Sequence, residues 1–242
     1  MKHYAVIPAR FASSRFPGKP LELLKGKPIL QHVYENVLAS GIFNEVFIAT
    51  DDLRITSCAE DFGATVVMTD SALPSGTDRV AAVAEMLEPD SVILNVQGDE
   101  PLITKEPLAA LIKVFEDAEV GMASLMTSLS DSSQLSNPNI VKVVINNYAD
   151  ALYFSRSAIP FDRDQQAQVP YYRHIGVYAF RYPVLKQFVA LPAGKLEQIE
   201  KLEQLRALEH GIPIRMVYTT YQGIGIDSPE DLYLVEQMLK DK

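Results

Sequence analysis

The sequence predicts an α/β protein with a doubly wound, mainly parallel sheet and an inserted antiparallel region. Three observations point there. Short apolar runs alternate with helix-patterned stretches from Tyr4 to Thr127, which implies parallel strands with helices on both faces. Around residues 137–182 that alternation is interrupted by strand-like runs with no helix between them. The 242 residues, 48% apolar and 22% charged, suit one α/β domain with a sizeable core. The expected organisation is therefore a single domain over 1–242 with an inserted antiparallel subregion at about 137–182.

Tyr4 to Ile7 reads as a buried strand stopped by Pro8, and a loop follows from Ala9 to Pro20. Ile29 to Ser40 has helical periodicity, with Gly41 where a C-terminal cap belongs. Val46 to Ala49 is a second strand, Leu53 to Phe62 a helix closed by Gly63, and Thr65 to Met68 a third strand. Thr77 to Leu87 reads as a helix, Val92 to Val96 as a strand, Pro107 to Glu116 as a helix and Val120 to Thr127 as a strand. Val141 to Ile145 and Ala151 to Ser155 flank Asn146-Asn147-Tyr148 as in a hairpin, and Arg173 to Phe180 is a further strand. Leu196, Ile199, Leu202, Leu205 and Leu208 predict one amphipathic helix of about four turns ending at Gly211, with most of its charged side chains solvated. Ile214 to Tyr218 is a strand, and Ser228 before Pro229 starts a final helix to Lys240.

The formal net charge of −9 argues against nucleic acid or an anionic membrane as the main partner, while leaving room for a local cation cluster to hold phosphate. The one cysteine, Cys58, excludes an intramolecular disulfide and a Cys-rich zinc site. The N-terminus lacks the apolar stretch of a signal peptide, and no run approaches a membrane span, so a cytoplasmic location is expected.

Four segments carry candidate chemistry. Pro8 to Pro20 follows a buried strand at the end where α/β proteins bind ligands, and holds Arg10, Ser13, Arg15, Gly18 and Lys19. Such cations, hydroxyls and free backbone N–H groups suit a triphosphate. Ser13 and Pro20 break the Walker pattern, and no G-x-G-x-x-G follows the first strand, which removes the main support for a nicotinamide dehydrogenase. An ordinary basic surface loop is the alternative. Gln97-Gly98-Asp99-Glu100-Pro101 places an aspartate at a strand tip, where it could hold magnesium or simply shape a turn. Asp227, just before the last helix, could be a ligand or a helix cap. Ser75-Gly76-Thr77-Asp78-Arg79 could contact a nucleoside or be a plain cap.

Taken together, the opening loop, Gln97–Pro101 and Gly225–Leu232 resemble the 3-deoxy-D-manno-octulosonate (Kdo) cytidylyltransferases. The resemblance extends to Ser75–Arg79, Asn137-Pro138-Asn139 with Val141–Val144, Ala151–Arg156, Arg173–Tyr178 and Leu202–Arg206, and so covers nearly the whole chain. Phe16 and Phe161 stand where many of that family carry Leu and Trp, both still apolar. The resemblance implies a Rossmann-like nucleotidyltransferase fold and transfer of CMP from CTP to Kdo, releasing pyrophosphate, for lipopolysaccharide synthesis. It also implies a magnesium-dependent, cytoplasmic homodimer, for which the segment 156–172 is the candidate contact.

Residue by residue, it implies that Arg10, Ser13, Arg15 and Lys19 form the triphosphate loop and that Ser75, Gly76 and Gln97 surround the cytidine. Asp99 and Asp227 would hold Mg2+, and Arg156, His174, Tyr178, Glu203 and Gln204 would meet the sugar acid. Catalysis would rest on Arg10, Lys19, Asp99 and Asp227. On spacing alone, His174 reads as a structural histidine and Glu203–Gln204 as a solvated helix face. An 8-amino analogue of Kdo is the alternative acceptor, and a nucleotide-binding module without catalysis is the rival from another class. Asp164 to Pro170 has no assignment.

Overall fold

The computed structural model describes residues 1–12, 16–129, 131–164 and 170–239. The chain forms two compact units, one of residues 1–109 with 222–242 and the other of residues 110–221.

The first unit begins with β1 (Lys2–Ala9), which runs through Pro8 instead of stopping there. The reason is geometric. In a parallel ladder alternate residues face the same neighbour, and Val6 accepts from Val96. Pro8 therefore faces that same side, beyond the last ladder pair Val6–Asn95, so its missing N–H costs no bond. After a 3₁₀ turn at Lys19–Leu21 come a small pair of strands, β2 (Leu23–Leu24) and β3 (Lys27–Pro28), then α1 (Ile29–Ala39). β4 (Glu45–Thr50), α2 (Leu53–Asp61), β5 (Thr65–Met68), α3 (Gly76–Ala84) and β6 (Ser91–Asn95) follow. The strands stand in the order β6-β1-β4-β5, and each pairing is parallel. Gly41 and Gly63 end α1 and α2 with positive φ, as their positions predicted.

α4 (Lys105–Lys113) carries the chain into the second unit. There β7 (Met122–Ser128), β8 (Lys142–Ile145), β9 (Ala151–Ser155) and β10 (Tyr172–Arg181) pair antiparallel as β7-β10-β8-β9, and the predicted β8–β9 hairpin is present. Next comes α5 (Tyr182–Ala190), which the sequence reading missed because its start, Tyr182-Pro183, directly abuts β10. The expected four-turn helix is broken into α6 (Lys195–Glu200) and α7 (Leu205–Glu209), with Lys201 in the left-handed region at φ 54. A strict three-residue spacing drifts by about 60° per step around an α-helix, so those five apolar residues never shared one face. Ile199 is 76% exposed, whereas Leu202 and Leu205 are buried. Arg206 is one of the charged side chains that are not solvated: it is buried in a two-pronged pair with Glu197 (2.9 and 2.6 Å). β11 (Arg215–Tyr218) adds to β7 in parallel, and α8 (Pro229–Met238) returns to the first unit.

Candidate active site

In the first unit, the loops after β1 and β6 leave the same edge of the sheet, because those neighbouring strands are parallel. Gly98 lets them approach: a Cβ there would lie 3.1 Å from the Pro8 carbonyl oxygen. The loop before α8 joins them through Ile226, whose N–H donates to the Asp99 carbonyl (2.9 Å) and whose side chain is buried with Leu24, Ile29 and Val235. These constraints put Asp99 and Asp227 side by side. Lys19 closes the group, its Nζ 2.6 Å from Asp99 Oδ2 and 3.1 Å from Asp227 Oδ1. Burial pulls the Lys19 pKa down, but Asp99 and then Asp227 outweigh it, so the ammonium is held above its ordinary value and stays charged.

Asp227 is not the cap of α8. Ser228 takes that role, accepting from the Asp231 N–H, with the Asp231 carboxylate returning the contact. Ser75 does cap α3, accepting from the Asp78 N–H at 3.1 Å. Arg10 lies against the carbonyls of Leu73, Pro74 (3.3 Å) and Ser75 (3.3 Å), just ahead of that cap. Its acceptors are neutral, so its charge remains available to an anion. Gln97 donates to Asn95 Oδ1 (3.1 Å). Arg10, Lys19, Ser75, Gly76, Gln97, Asp99 and Asp227 all line one cleft of ≈ 420 Å³. Ser13 and Arg15 lie outside the described residues. Two carboxylates converging on one cation fit magnesium, which takes one or two protein carboxylates and completes its shell with phosphate oxygens and water.

The other candidates lie in the second unit. His174 is buried, with Nε2 2.9 Å from Ser124 Oγ and its ring packed edge-on against Phe154. Burial, helped by nearby Arg173, lowers its pKa to about 3, so it is a neutral hydrogen-bonding group. Tyr178 stacks obliquely on His174, and burial pushes its phenol well above its ordinary value. Gln204 is 3% exposed, which overturns the solvated-face reading for that residue. Glu203 is half-buried beside it. Arg156 gives its guanidinium to three backbone carbonyls, those of Glu200 (2.7 Å), Pro138 (2.7 Å) and Lys201 (3.3 Å).

The chain resembles known proteins along its length. The family model described as cytidylyltransferase matches residues 4–215. A 3-deoxy-manno-octulosonate cytidylyltransferase of Thermodesulfovibrio yellowstonii is 48% identical, covering 97% of this chain and 96% of that protein. The chain belongs to the 3-deoxy-manno-octulosonate cytidylyltransferase family. A relative from Shewanella loihica, 45% identical with 97% of each chain covered, is named an 8-amino-3,8-dideoxy-manno-octulosonate cytidylyltransferase. Among solved structures, a CMP:2-keto-3-deoxy-manno-octonic acid synthetase complexed with CTP superposes with a TM-score of 0.94 at 40% identity, covering 100% of this chain and 99% of the other. A 4-diphosphocytidyl-2C-methyl-D-erythritol synthase from Anaerococcus prevotii shares the fold, with a TM-score of 0.66 at 16% identity and 99% of each chain covered.

For this cytidylyltransferase the sequence reading missed two charged groups around Arg156. Glu200 is one of the charged residues of the predicted 196–210 helix, and its carboxylate accepts from Ser155 Oγ (2.6 Å) and the Arg156 N–H (3.0 Å). Lys142 has no exposed surface and donates to the carbonyls of Asn137 (3.1 Å), Ile140 (2.7 Å) and Arg156. A lone lysine inside the apolar run Val141–Ile145 was the available signal for the second.

Proposed function

We propose that this nucleotidyltransferase activates Kdo for lipopolysaccharide synthesis, with the cleft of the first unit as its CTP site and the His174–Arg156 region as its acceptor side. The anomeric hydroxyl of Kdo loses its proton to solvent as its oxygen forms a bond to the α-phosphorus of CTP, the bond from that phosphorus to the β-phosphate bridging oxygen breaks, and pyrophosphate leaves. The observation that carries the reading is Lys19 between Asp99 and Asp227 in a cleft also lined by Arg10, Ser75 and Gln97.

Each residue then has a task. Arg10 and Lys19 stabilise the negative charge that develops on the departing pyrophosphate. Ser75, Gly76 and Gln97 offer hydroxyl, backbone and amide groups to the cytidine, while Ser13 and Arg15 extend the phosphate loop. Asp99 and Asp227 would hold Mg2+, which would supply neutralisation of the phosphate oxygens and a lowered pKa for the attacking hydroxyl. Arg156 pairs with the acceptor carboxylate, and His174, Tyr178, Glu203 and Gln204 exchange hydrogen bonds with its hydroxyls. The chain works as one nucleotidyltransferase in the cytoplasm, as a homodimer. The 156–172 segment, of which residues 165–169 lie outside the described residues, is the proposed contact, with the 85% exposed Phe161 as its apolar anchor. Solution mass should give twice the chain mass, and Phe161→Asp should halve it; a monomeric parent removes the contact.

The test of function is pyrophosphate release with CTP, Mg2+ and Kdo, against controls lacking each and one with ATP in place of CTP. Release that needs all three and prefers CTP supports the reading. Release with 8-amino-Kdo alone reassigns the acceptor. No release with either sugar, from protein that binds CTP, removes the acceptor assignment.

A further inference from the structure

Arg156 is held in an unusual electrostatic state. Of its five guanidinium N–H donors, three are engaged, and all three acceptors are neutral backbone carbonyls. Among the described residues no carboxylate pairs with it. Yet a carboxylate stands next to it: Glu200, the last residue of α6. Its side-chain oxygens are occupied by Ser155 Oγ–H and the Arg156 backbone N–H, and it offers the guanidinium only its main-chain carbonyl. Glu200 therefore grips the backbone of Arg156 at one end and the Nε of its side chain at the other, without pairing its charge to the guanidinium.

The helix break completes the arrangement. With Lys201 left-handed, α6 stops and the carbonyls of Glu200 and Lys201 are both free to accept from Arg156. From the other direction the buried Lys142 fixes the Arg156 carbonyl and, through the carbonyls of Asn137 and Ile140, the loop whose Pro138 carbonyl takes Nη1. Burial, and to a smaller extent the neighbouring Arg156 charge, pull the Lys142 pKa down, and Glu200 is the group that opposes them. What remains is one N–H on each terminal nitrogen of a rigidly held, uncompensated guanidinium. Such N–H donors on a charged guanidinium suit a carboxylate.

We propose that Glu200, with Lys142, is the positioning residue that fixes Arg156 for the carboxylate of the acceptor sugar. It acts on the acceptor only through Arg156. The inference rests on the reading of Arg156 given above, and the test separates the two.

The experiment is steady-state kinetics on the full chain for Arg156→Ala, Glu200→Ala, Glu200→Gln and the double variant Arg156→Ala/Glu200→Ala, with the KM for CTP and for the acceptor measured separately. Glu200→Ala should raise the acceptor KM by about tenfold to a hundredfold, the range of a charge-assisted hydrogen-bond pair, and leave the CTP KM unchanged. Glu200→Gln, which keeps an acceptor oxygen, should restore most of that loss. In the double variant Glu200→Ala should add less than about twofold to the effect of Arg156→Ala, because its target is gone. Should Glu200→Ala fail to fold, judged by lost CTP binding, Ser155→Ala removes one of the contacts to its carboxylate and should show the same selectivity at smaller size. A full additional loss in the double variant, equal loss for both substrates, or an unchanged acceptor KM overturns the inference. An unchanged acceptor KM in Arg156→Ala overturns the underlying reading instead.

Discussion

In the first unit the candidate site is held together by opposite charges in direct contact, Lys19 between Asp99 and Asp227, with side chains 14%, 26% and 47% exposed. In the second unit Arg156 is held by neutral carbonyls, and His174 is buried and uncharged. The difference follows from what each would bind. A triphosphate with its metal brings several charges of its own, so its site can consist of partly buried ions that exchange partners when the ligand arrives. A sugar acid brings one carboxylate and many hydroxyls. Its site needs one cation left uncompensated and neutral polar groups held in place by packing.

The largest expected break of this contrast is at Asp99. Asp99→Asn keeps the shape but removes one of two carboxylates converging on the same point. Turnover at saturating CTP and acceptor should fall on the order of a hundredfold to a thousandfold, partly recovered at high Mg2+. Full turnover at ordinary Mg2+ would falsify its assignment as a metal ligand.

Lys19→Met should cost about a hundredfold in turnover by removing a cation from the leaving-group side. It should also have an opposite effect on metal binding. The ammonium sits at 2.6 and 3.1 Å from the two carboxylates, where it competes with a divalent ion for the same oxygens. In the absence of nucleotide, Mn2+ titrated by electron paramagnetic resonance should bind Lys19→Met more tightly than the parent. Weaker binding would mean that Lys19 organises the carboxylates instead of screening them.

The same contrast decides what was legible in the sequence. The first site lies on loops that directly follow strands, so Pro8–Pro20, Gln97–Pro101 and the residues around Asp227 each announce themselves as short local motifs. What the motifs did not reveal is which reading each residue takes, since Asp227 as cap or ligand depends on Lys19 and Asp99, distant in sequence. The fold was similarly readable where strands and helices alternate, and its strand ends were off by a residue or two. It failed where tertiary contacts overrule pattern. Pro8 continues β1 because the neighbouring strand has already ended, and α6 and α7 separate at Lys201, where the Glu200 and Lys201 carbonyls are taken up by Arg156. Glu200 looked like a solvated charge because its partners lie 44 and 45 residues away.

His174 sharpens the comparison through pH. Its ordinary pKa of 6.5 falls to about 3 in the folded chain, chiefly through burial. Between those values the unfolded chain binds a proton that the folded chain refuses, so stability is complete above pH 6.5 and declines as pH drops toward 3. The slope from this group is at most about 1.4 kcal/mol per pH unit. Denaturant unfolding of the parent between pH 7 and 5 should be steeper in pH than that of His174→Gln, whatever the absolute stability of the variant. Identical slopes would place a charged or solvated imidazole at this position and remove the neutral hydrogen-bonding role.

The smallest effect has the opposite sign and tests the helix break. Lys201 adopts φ 54, ψ 48, a conformation that costs an L-residue with a Cβ about 1 kcal/mol and costs glycine little. Its side chain is exposed, and the contact the site uses is its backbone carbonyl, which any residue supplies. Lys201→Gly relieves the strain while adding freedom to the unfolded chain, so the net gain should be about 0.5 kcal/mol, read as a rise of about 1–2 °C in the thermal midpoint of a chain this size. The acceptor KM should not move, because the carbonyls of residues 200 and 201 still face Arg156. A lower midpoint would show that the left-handed turn is imposed by the lysine side chain itself. A midpoint that rises together with the acceptor KM would show instead that the lysine backbone, stiffer than glycine, is what keeps Arg156 in place.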